Sequence, residues 1–344
     1  KRMKGFGSDN HSGIHPIMLK AIIDCNSQHE PSYGTDQYSE KALAQFKDLF
    51  GTHVETHFVY NGTAANVLSL QAAMKRYETV LCSDVSHIHL DECGAPEFFA
   101  GKIQTLPSLH GKIIFSEIEK YLIRKGDQHY SQPRVISITQ PTELGTCYTL
   151  DEIKEISTLA KKHGLYLHLD GARISNAVHF LKTNFKAMTT DAGVDILSFG
   201  GTKNGFAFGE AVVILNKDLQ KNFKFIRKQA AQLPSKTRFI AHQFSCYLKD
   251  ETYLKIADHS LGMAEYLHAE LEKISKTSDL IKITQPRQSN AVFAVLPKNL
   301  IKPLREIFFF YVWDENTTEC RLMTSWDTAI DDINGFILKL KSLI

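Results

Sequence analysis

The chain has 344 residues, 43% hydrophobic and 23% charged, with a formal net charge of +2. That length exceeds what one small core needs, so a large domain with a smaller companion is expected. The balanced charge offers nothing to attract nucleic acid or an anionic membrane surface, and no apolar run is long enough to cross a bilayer.

The segment Gly5–Ser39 is rich in Gly, Pro, Ser, His and Asn and reads as loop and turn around a short helix beginning near Pro16. From about Val54 to Leu215, short apolar runs alternate with helical patterns. Strands are predicted at His57–Tyr60, Val80–Cys82, Lys102–Leu106, Val135–Thr139, Leu165–Leu169, Ile196–Phe199 and Ala211–Leu215. Helices are predicted at Ala64–Tyr77, Ser116–Lys125 and Leu150–His163. Strands rich in β-branched residues, spaced by amphipathic helices, are the pattern of an α/β domain whose mostly parallel sheet is covered on both faces. Past Asn216 a helical stretch in several pieces runs from Lys217 to Lys273. Strands are then predicted at Leu280–Thr284, Ala291–Leu296, Phe308–Trp313 and Arg321–Thr324, with a closing helix at Ile330–Leu343. The division expected is an arm over 1–40, a large α/β domain over 41–235 and a small α+β domain over 236–344. The six cysteines are scattered, without a CxxC pair, and no signal-peptide pattern opens the sequence, so a cytoplasmic protein is expected.

Ligands of open α/β sheets bind beyond the carboxyl ends of the strands, so the loops that follow strands are the places to search. After the first strand comes Tyr60-Asn61-Gly62-Thr63-Ala64, a helix start with uncovered N–H groups that would favour a phosphate, though by itself it reads as an ordinary cap. Leu165–Leu169 ends in Asp170-Gly171-Ala172-Arg173, where a carboxylate could meet a pyridine nitrogen; alone, Asp170 reads as an N-cap. Ile196–Phe199 leads into Gly200-Gly201-Thr202-Lys203-Asn204-Gly205, a lysine among glycines at a strand end. It lacks the spacing of a nucleotide-binding P-loop. A phosphate loop, an aspartate and a lysine at successive strand ends follow the order used by fold-type I pyridoxal-phosphate enzymes. There the lysine attaches to the cofactor, the aspartate keeps the ring nitrogen protonated, and a helix start holds the phosphate.

Asp170-Gly-Ala-Arg-Ile-Ser-Asn176 resembles the DGARxxNA motif of the threonine aldolase and β-eliminating lyase family. Ser198-Phe-Gly-Gly-Thr-Lys-Asn-Gly205 is similar to the lysine motif of its low-specificity L-threonine aldolase branch. Further matches at Ser8-Asp9-Asn10, Tyr33-Gly34, Gly62-Thr63, His87–Gly94, Gln128-His129 and Arg321–Trp326 carry the resemblance over nearly the whole length. It implies an aspartate-aminotransferase-like large domain with a mostly parallel sheet that binds pyridoxal 5'-phosphate, plus the smaller C-terminal α+β domain. It implies that Lys203 bears the cofactor, that Asp170 pairs with its ring nitrogen, and that Gly62 and Thr63 cradle its phosphate. His87 would lie over the cofactor ring. Arg173 and Arg321, with Ser8 and Tyr33, would hold the substrate carboxylate, and His129 would face the β-hydroxyl. Arg238 would reach a neighbouring subunit's phosphate, in a homodimer or homotetramer with shared sites. The implied reaction splits L-threonine, L-allo-threonine and related L-β-hydroxy-α-amino acids into glycine and an aldehyde. The proton acceptor for the hydroxyl stays open between His87, His129 and a water.

Two other readings compete. A β-eliminating lyase or aminotransferase could use the same fold. More distantly, His87-Ile-His89-Leu-Asp91 matches an HxHxD metal-hydrolase pattern, with Glu92 and Cys93 as further ligands. That reading leaves the Asp170 and Lys203 motifs unexplained, so no metal is expected.

Overall fold

The computed structural model describes residues 4–344; residues 1–3, at the start of the arm, lie outside the described residues. A turn at Asp9–His11 precedes helix α1 (Pro16–Asp24), and α2 (Gln37–Phe50) leads into strand β1 (Glu55–Val59). Then come α3 (Gly62–Ala73), β2 (Glu78–Ser83), α4 (His87–Leu90), α5 (Ala95–Phe99) and β3 (Lys102–Leu106). A small hairpin, β4 (Ser108–Leu109) with β5 (Lys112–Ile113), is followed by α6 (Phe115–Leu122), β6 (Gln132–Thr139) and α7 (Leu150–Lys162). The large sheet is completed by β7 (Tyr166–Gly171), β8 (Ile196–Phe199) and β9 (Glu210–Ile214), with α8 (Ile174–Phe180) and α9 (Phe185–Met188) between β7 and β8. Helices α10 (Phe223–Gln229), α11 (Arg238–Leu248) and α12 (Thr252–Ser275) lead to the second sheet. That sheet holds β10 (Lys282–Ile283), β11 (Ala291–Val295), β12 (Tyr311–Asp314) and β13 (Glu319–Met323), with α13 (Lys298–Arg305) between β11 and β12 and α14 (Ile330–Lys341) closing the chain.

The seven-stranded sheet has the order β1-β9-β8-β7-β6-β2-β3. Strands β3, β2, β6, β7 and β8 are parallel neighbours, and β9 runs against both β8 and β1. The mostly parallel α/β architecture is therefore as the strand pattern implied. Alternate residues of each strand face opposite layers. Leu197 and Phe199 pack with Phe46 of α2, Ile153 of α7 and Phe244 of α11. Ile196 and Val212 pack with Leu68 of α3 and Phe223 of α10. Among the described residues no helix is long and apolar enough to cross a membrane.

Several helices were not predicted, α2 and α13 among them. Helix α2 begins in ground read as arm and loop and continues where the large domain was expected to open without an element; the Asp36 carboxylate caps it, accepting from Ser39 N at 2.8 Å, and Ala42, Phe46 and Phe50 make one buried stripe four residues apart. Helix α13 carries Pro303 inside it, a residue that normally argues against a helix. Helix α11 contributes Ile240, Phe244 and Tyr247 to the large core, so that core continues past residue 236. The change-over lies within α12, whose Tyr253 and Ile256 join the large core while Ala264, Leu267 and Leu271 join the small one.

The arm ties the two cores together. Phe6 is buried in the small core; its N–H donates to Phe309 O at 2.6 Å and its carbonyl accepts from Met323 N at 2.8 Å. Three residues later the chain crosses to the large domain, where the Asp9 carboxylate accepts from Arg173 Nε at 2.6 Å and Nη2 at 2.9 Å. Asn290 of the small domain donates to the same carboxylate at 3.1 Å. Burial opposes ionisation of Asp9, but the Arg173 guanidinium outweighs it and holds the carboxyl below the ordinary range. The pair's contribution to stability is thus fully present above about pH 4, the free aspartate value, and is lost as pH falls through the lower native value. Asp9→Ala leaves a buried guanidinium uncompensated and is expected to cost about 3–5 kcal/mol at pH 7, read from the urea midpoint. A loss under about 1 kcal/mol, as exposed pairs give, would show that the arm is not anchored this way.

Candidate active site

Strands β6, β7 and β8 end side by side at one cavity, lined there by Thr139, Asp170, Ser198 and Phe199. Beyond β8 the backbone passes so close to its neighbours that side chains are excluded. A Cβ on Gly200 would lie 2.0 Å from Ala172 O, and one on Gly201 would lie 2.4 Å from Gly209 O. Gly201 N donates to Glu210 Oε2 at 2.6 Å, and Asn204 Nδ2 donates to Ala172 O at 3.1 Å and Gly200 O at 3.0 Å. This bracing presents Lys203 to the cavity from a short turn over Thr202–Asn204. Burial and the nearby Arg173 charge lower its amine below the ordinary lysine range.

Helix α3 starts at the same cavity with Gly62, and Asn61 caps it by accepting from Ala64 N at 2.9 Å. A Cβ on Gly62 would meet nothing within 4 Å, so open space lies before N–H groups that point out of the helix. Thr63 follows, half-buried, and does not line the cavity wall.

The floor is a chain of buried polar groups. Asp170 is 5% exposed; its Oδ1 accepts from Ala172 N at 3.0 Å and its Oδ2 from Asn66 Nδ2 at 2.8 Å. The Asn66 amide also donates to Glu92 Oε1 at 2.9 Å, and that oxygen lies 2.7 Å from His87 Nδ1. Burial works against the Asp170 carboxylate, but the charges of His87 and Lys203 and the Asn66 hydrogen bond hold it below the ordinary range. Burial alone would lower His87; the Glu92 hydrogen bond and the Asp170 charge raise it instead. Behind Asp170, His168 sits between Ser137 Oγ (2.8 Å) and Ser198 Oγ (3.0 Å). Burial brings it down to about 4, so it is uncharged at neutral pH. The Asp170 carboxylate therefore looks to the cavity for a cationic partner.

An outer cavity adjoins the first, lined by Ser8, Asp91, Tyr311, Trp313 and Arg321 together with His87, Glu143, Arg173 and Lys203. Arg321 rises from β13 between the rings of Tyr311 and Trp313, 5.7 and 5.2 Å from their centroids. Its Nη2 donates to Gly7 O at 3.2 Å, and its buried Nε has no acceptor. Burial and Arg173 pull it down to about 10, which leaves it charged at neutral pH. Among the described residues no carboxylate pairs with Arg321, so it is ready for an anion. Arg173 differs from its expected role in one respect: two of its donors are taken by Asp9, so it both lines the cavity and anchors the arm.

Gly62, His87, Asp170, Arg173, Lys203, Ser8 and Arg321 thus meet at one place. Besides Thr63, three expected residues do not. His129 precedes β6, whereas the cavity lies at the far end of that eight-residue strand. At about 3.3 Å per residue the two are on the order of 25 Å apart. Tyr33 is exposed, with its N–H donating to Ser235 O at 2.9 Å, and Arg238 Nε donates to Cys25 O at 3.1 Å. Neither lines the chain's own cavity. The HxHxD reading fails geometrically: His87 turns its Nδ1 to Glu92, and among the described residues no three His, Cys, Asp or Glu side chains gather closely enough to hold a metal ion. Sequence reasoning gave no role to Asn66, Glu143 or Glu210, nor to Asp9 as a structural anchor. Glu92 was visible inside the His87–Gly94 match, but its partners 26 residues away were not.

The model of the beta-eliminating lyase family matches residues 5–297. The low specificity L-threonine aldolase of Pseudomonas aeruginosa is 42% identical, over 95% of this chain and 94% of its own. That of another Pseudomonas species is 40% identical, over 94% and 93%. The solved structure of Leishmania major threonine aldolase superposes with a TM-score of 0.92 at 32% identity, covering 99% of both chains. The family model covers most of the chain and these relatives match it over nearly its whole length, so the chain belongs to the threonine aldolase and beta-eliminating lyase family.

Proposed function

We propose that this protein is a pyridoxal-phosphate-dependent aldolase that splits L-threonine, L-allo-threonine and related L-β-hydroxy-α-amino acids into glycine and an aldehyde. The observation that carries this reading is the meeting of Lys203, Asp170 and the unpaired Arg321 around one continuous space. The residues fit the cofactor: an amine of lowered pKa can attack its aldehyde, a carboxylate without a cationic partner suits a protonated ring nitrogen, and the start of α3 suits its phosphate. Pyridoxal phosphate, when bound, supplies an electron sink for the pair left when a bond to Cα breaks.

The remaining work falls to this chain. Arg321 and Ser8 receive the substrate carboxylate, the guanidinium through parallel N–H groups. Fixing that end and the amino end near Lys203 sets the rotation of Cα and so selects the bond that is cleaved. Glu92 orients His87 through Nδ1 and leaves its other nitrogen toward the cavity. We also place the protein in the cytoplasm, where its six cysteines, all free, suit a reducing environment.

The clamp reads the amino and carboxylate groups and leaves the β-substituent loosely held. We therefore expect cleavage of both L-threonine and L-allo-threonine and none of D-threonine. Assay of the four stereoisomers with detection of the aldehyde decides this, and preference for a D-isomer would overturn the reading.

Two substitutions test the roles. Lys203→Ala is expected to abolish turnover, and borohydride reduction of the wild type followed by peptide mapping should find the cofactor on Lys203. Asp170→Asn should keep cofactor bound but slow cleavage by about 10²–10³-fold. Near wild-type rates, or cofactor on another lysine, would remove these assignments.

We further propose a homodimer or homotetramer in which Arg238, with Tyr33 beside it, serves a neighbouring subunit's site. Supporting this, Tyr33 is tied to Ser235, three residues before Arg238, on a surface outside the chain's own cavity. Mixing Lys203→Ala chains with Arg238→Ala chains, each nearly inactive alone, should restore activity, because one site of each mixed dimer escapes both defects. No recovery after verified subunit exchange would mean that Arg238 does not act in trans.

A further inference from the structure

Four residues line both the inner and the outer cavity: His87, Glu143, Arg173 and Lys203. A substrate held between Lys203 and Arg321 lies along them. Arg173 is always protonated and Lys203 is committed to the cofactor, which leaves His87 and Glu143 to handle protons. His87 already has its Nδ1 engaged by Glu92 at 2.7 Å, and against burial that hydrogen bond and the Asp170 charge raise it above the ordinary imidazole value.

Glu143 is built differently. Its Oε1 accepts from His87 N at 2.8 Å and from Thr139 Oγ1 at 2.8 Å, which fixes the carboxyl group. Its Oε2 is buried and has no hydrogen-bond partner. A buried carboxylate oxygen without a donor is costly unless something that carries a proton completes it. Burial, reinforced by the Asp170 charge, pushes the Glu143 carboxyl up to about 7, so near neutral pH it can both take and return a proton.

We propose that Glu143, through Oε2, accepts the proton of the substrate β-hydroxyl. This rests on the aldolase reading and deepens it. As the O–H bond breaks, its electron pair forms the second bond of the aldehyde C=O, and the Cα–Cβ bond breaks. The Cα–Cβ pair remains with the glycine half, where a proton replaces Cβ, so the hydroxyl proton taken by Glu143 is balanced by the one delivered to Cα. No oxidant, reductant or co-reactant is needed.

Glu143→Gln keeps an acceptor for His87 N and Thr139 Oγ1 while removing the proton-accepting oxygen. The variant is expected to bind pyridoxal phosphate and glycine as the wild type does, read by absorbance titration. Its rate of L-allo-threonine cleavage should fall about 10²–10⁴-fold, with little change in KM. Solvent-deuterium exchange at Cα of glycine, which has no β-hydroxyl, should persist. In Glu143→Ala, added formate should restore part of the cleavage in a saturable manner, which a merely structural side chain would not allow. Undiminished cleavage in Glu143→Gln, loss of glycine exchange in parallel with cleavage, or failure of formate to restore Glu143→Ala would each overturn the proposal. If the wild type itself cleaves no β-hydroxy amino acid, the aldolase reading falls as well. A wild type that cleaves beside a Glu143→Gln that cleaves equally removes this proposal alone.

Discussion

A carboxylate inside a protein must be surrounded by donors and positive charge, because its desolvation otherwise costs more than folding can supply. At Asp170 that requirement organises the site. A backbone N–H and the Asn66 amide hold its two oxygens, and Asn66 in turn binds Glu92, which orients His87. The histidine directly behind is kept uncharged, so neutralisation is left to groups on the cavity side. The same carboxylate raises His87 and pushes Glu143 upward. One buried charge at the end of β7 thus adds to the Glu92 hydrogen bond at His87 and to burial at Glu143.

The second constraint is mechanical. The residues proposed to receive the two ends of an amino acid stand on different domains: Lys203 follows β8 of the large sheet, and Arg321 lies on β13 of the small one. The arm fixes their relation, because Phe6 is built into the small core while Asp9 is paired with Arg173 three residues on. Arg173 therefore belongs at once to the cavity wall and to the joint between the domains.

Much of this was legible in the sequence because strand ends are easy to locate. Short apolar runs gave β6, β7 and β8, and the rule that ligands sit beyond carboxyl ends singled out Asp170 and Lys203. The same rule applied to His129 shows why it lies elsewhere: it stands before β6, not after it. Helix α2 was hidden by the glycine, proline and serine that precede it, although Ala42, Phe46 and Phe50 form a regular stripe. Asn66 and Glu143 could not be found in one dimension. Each sits in an unremarkable run, and its meaning comes from partners such as Asp170, 104 residues from Asn66, or His87, 56 residues from Glu143.

Arg321, clasped between Tyr311 and Trp313 with a buried donor unmet, has a consequence for the order of events. On the aldolase reading both substrate and glycine carry the carboxylate that satisfies it, and the aldehyde does not. Cleavage therefore yields one product that keeps its anchor and one that loses every tether at once. The aldehyde leaves first and glycine second. Run backward, the same asymmetry makes glycine the obligatory first arrival, waiting in place for whichever aldehyde diffuses in.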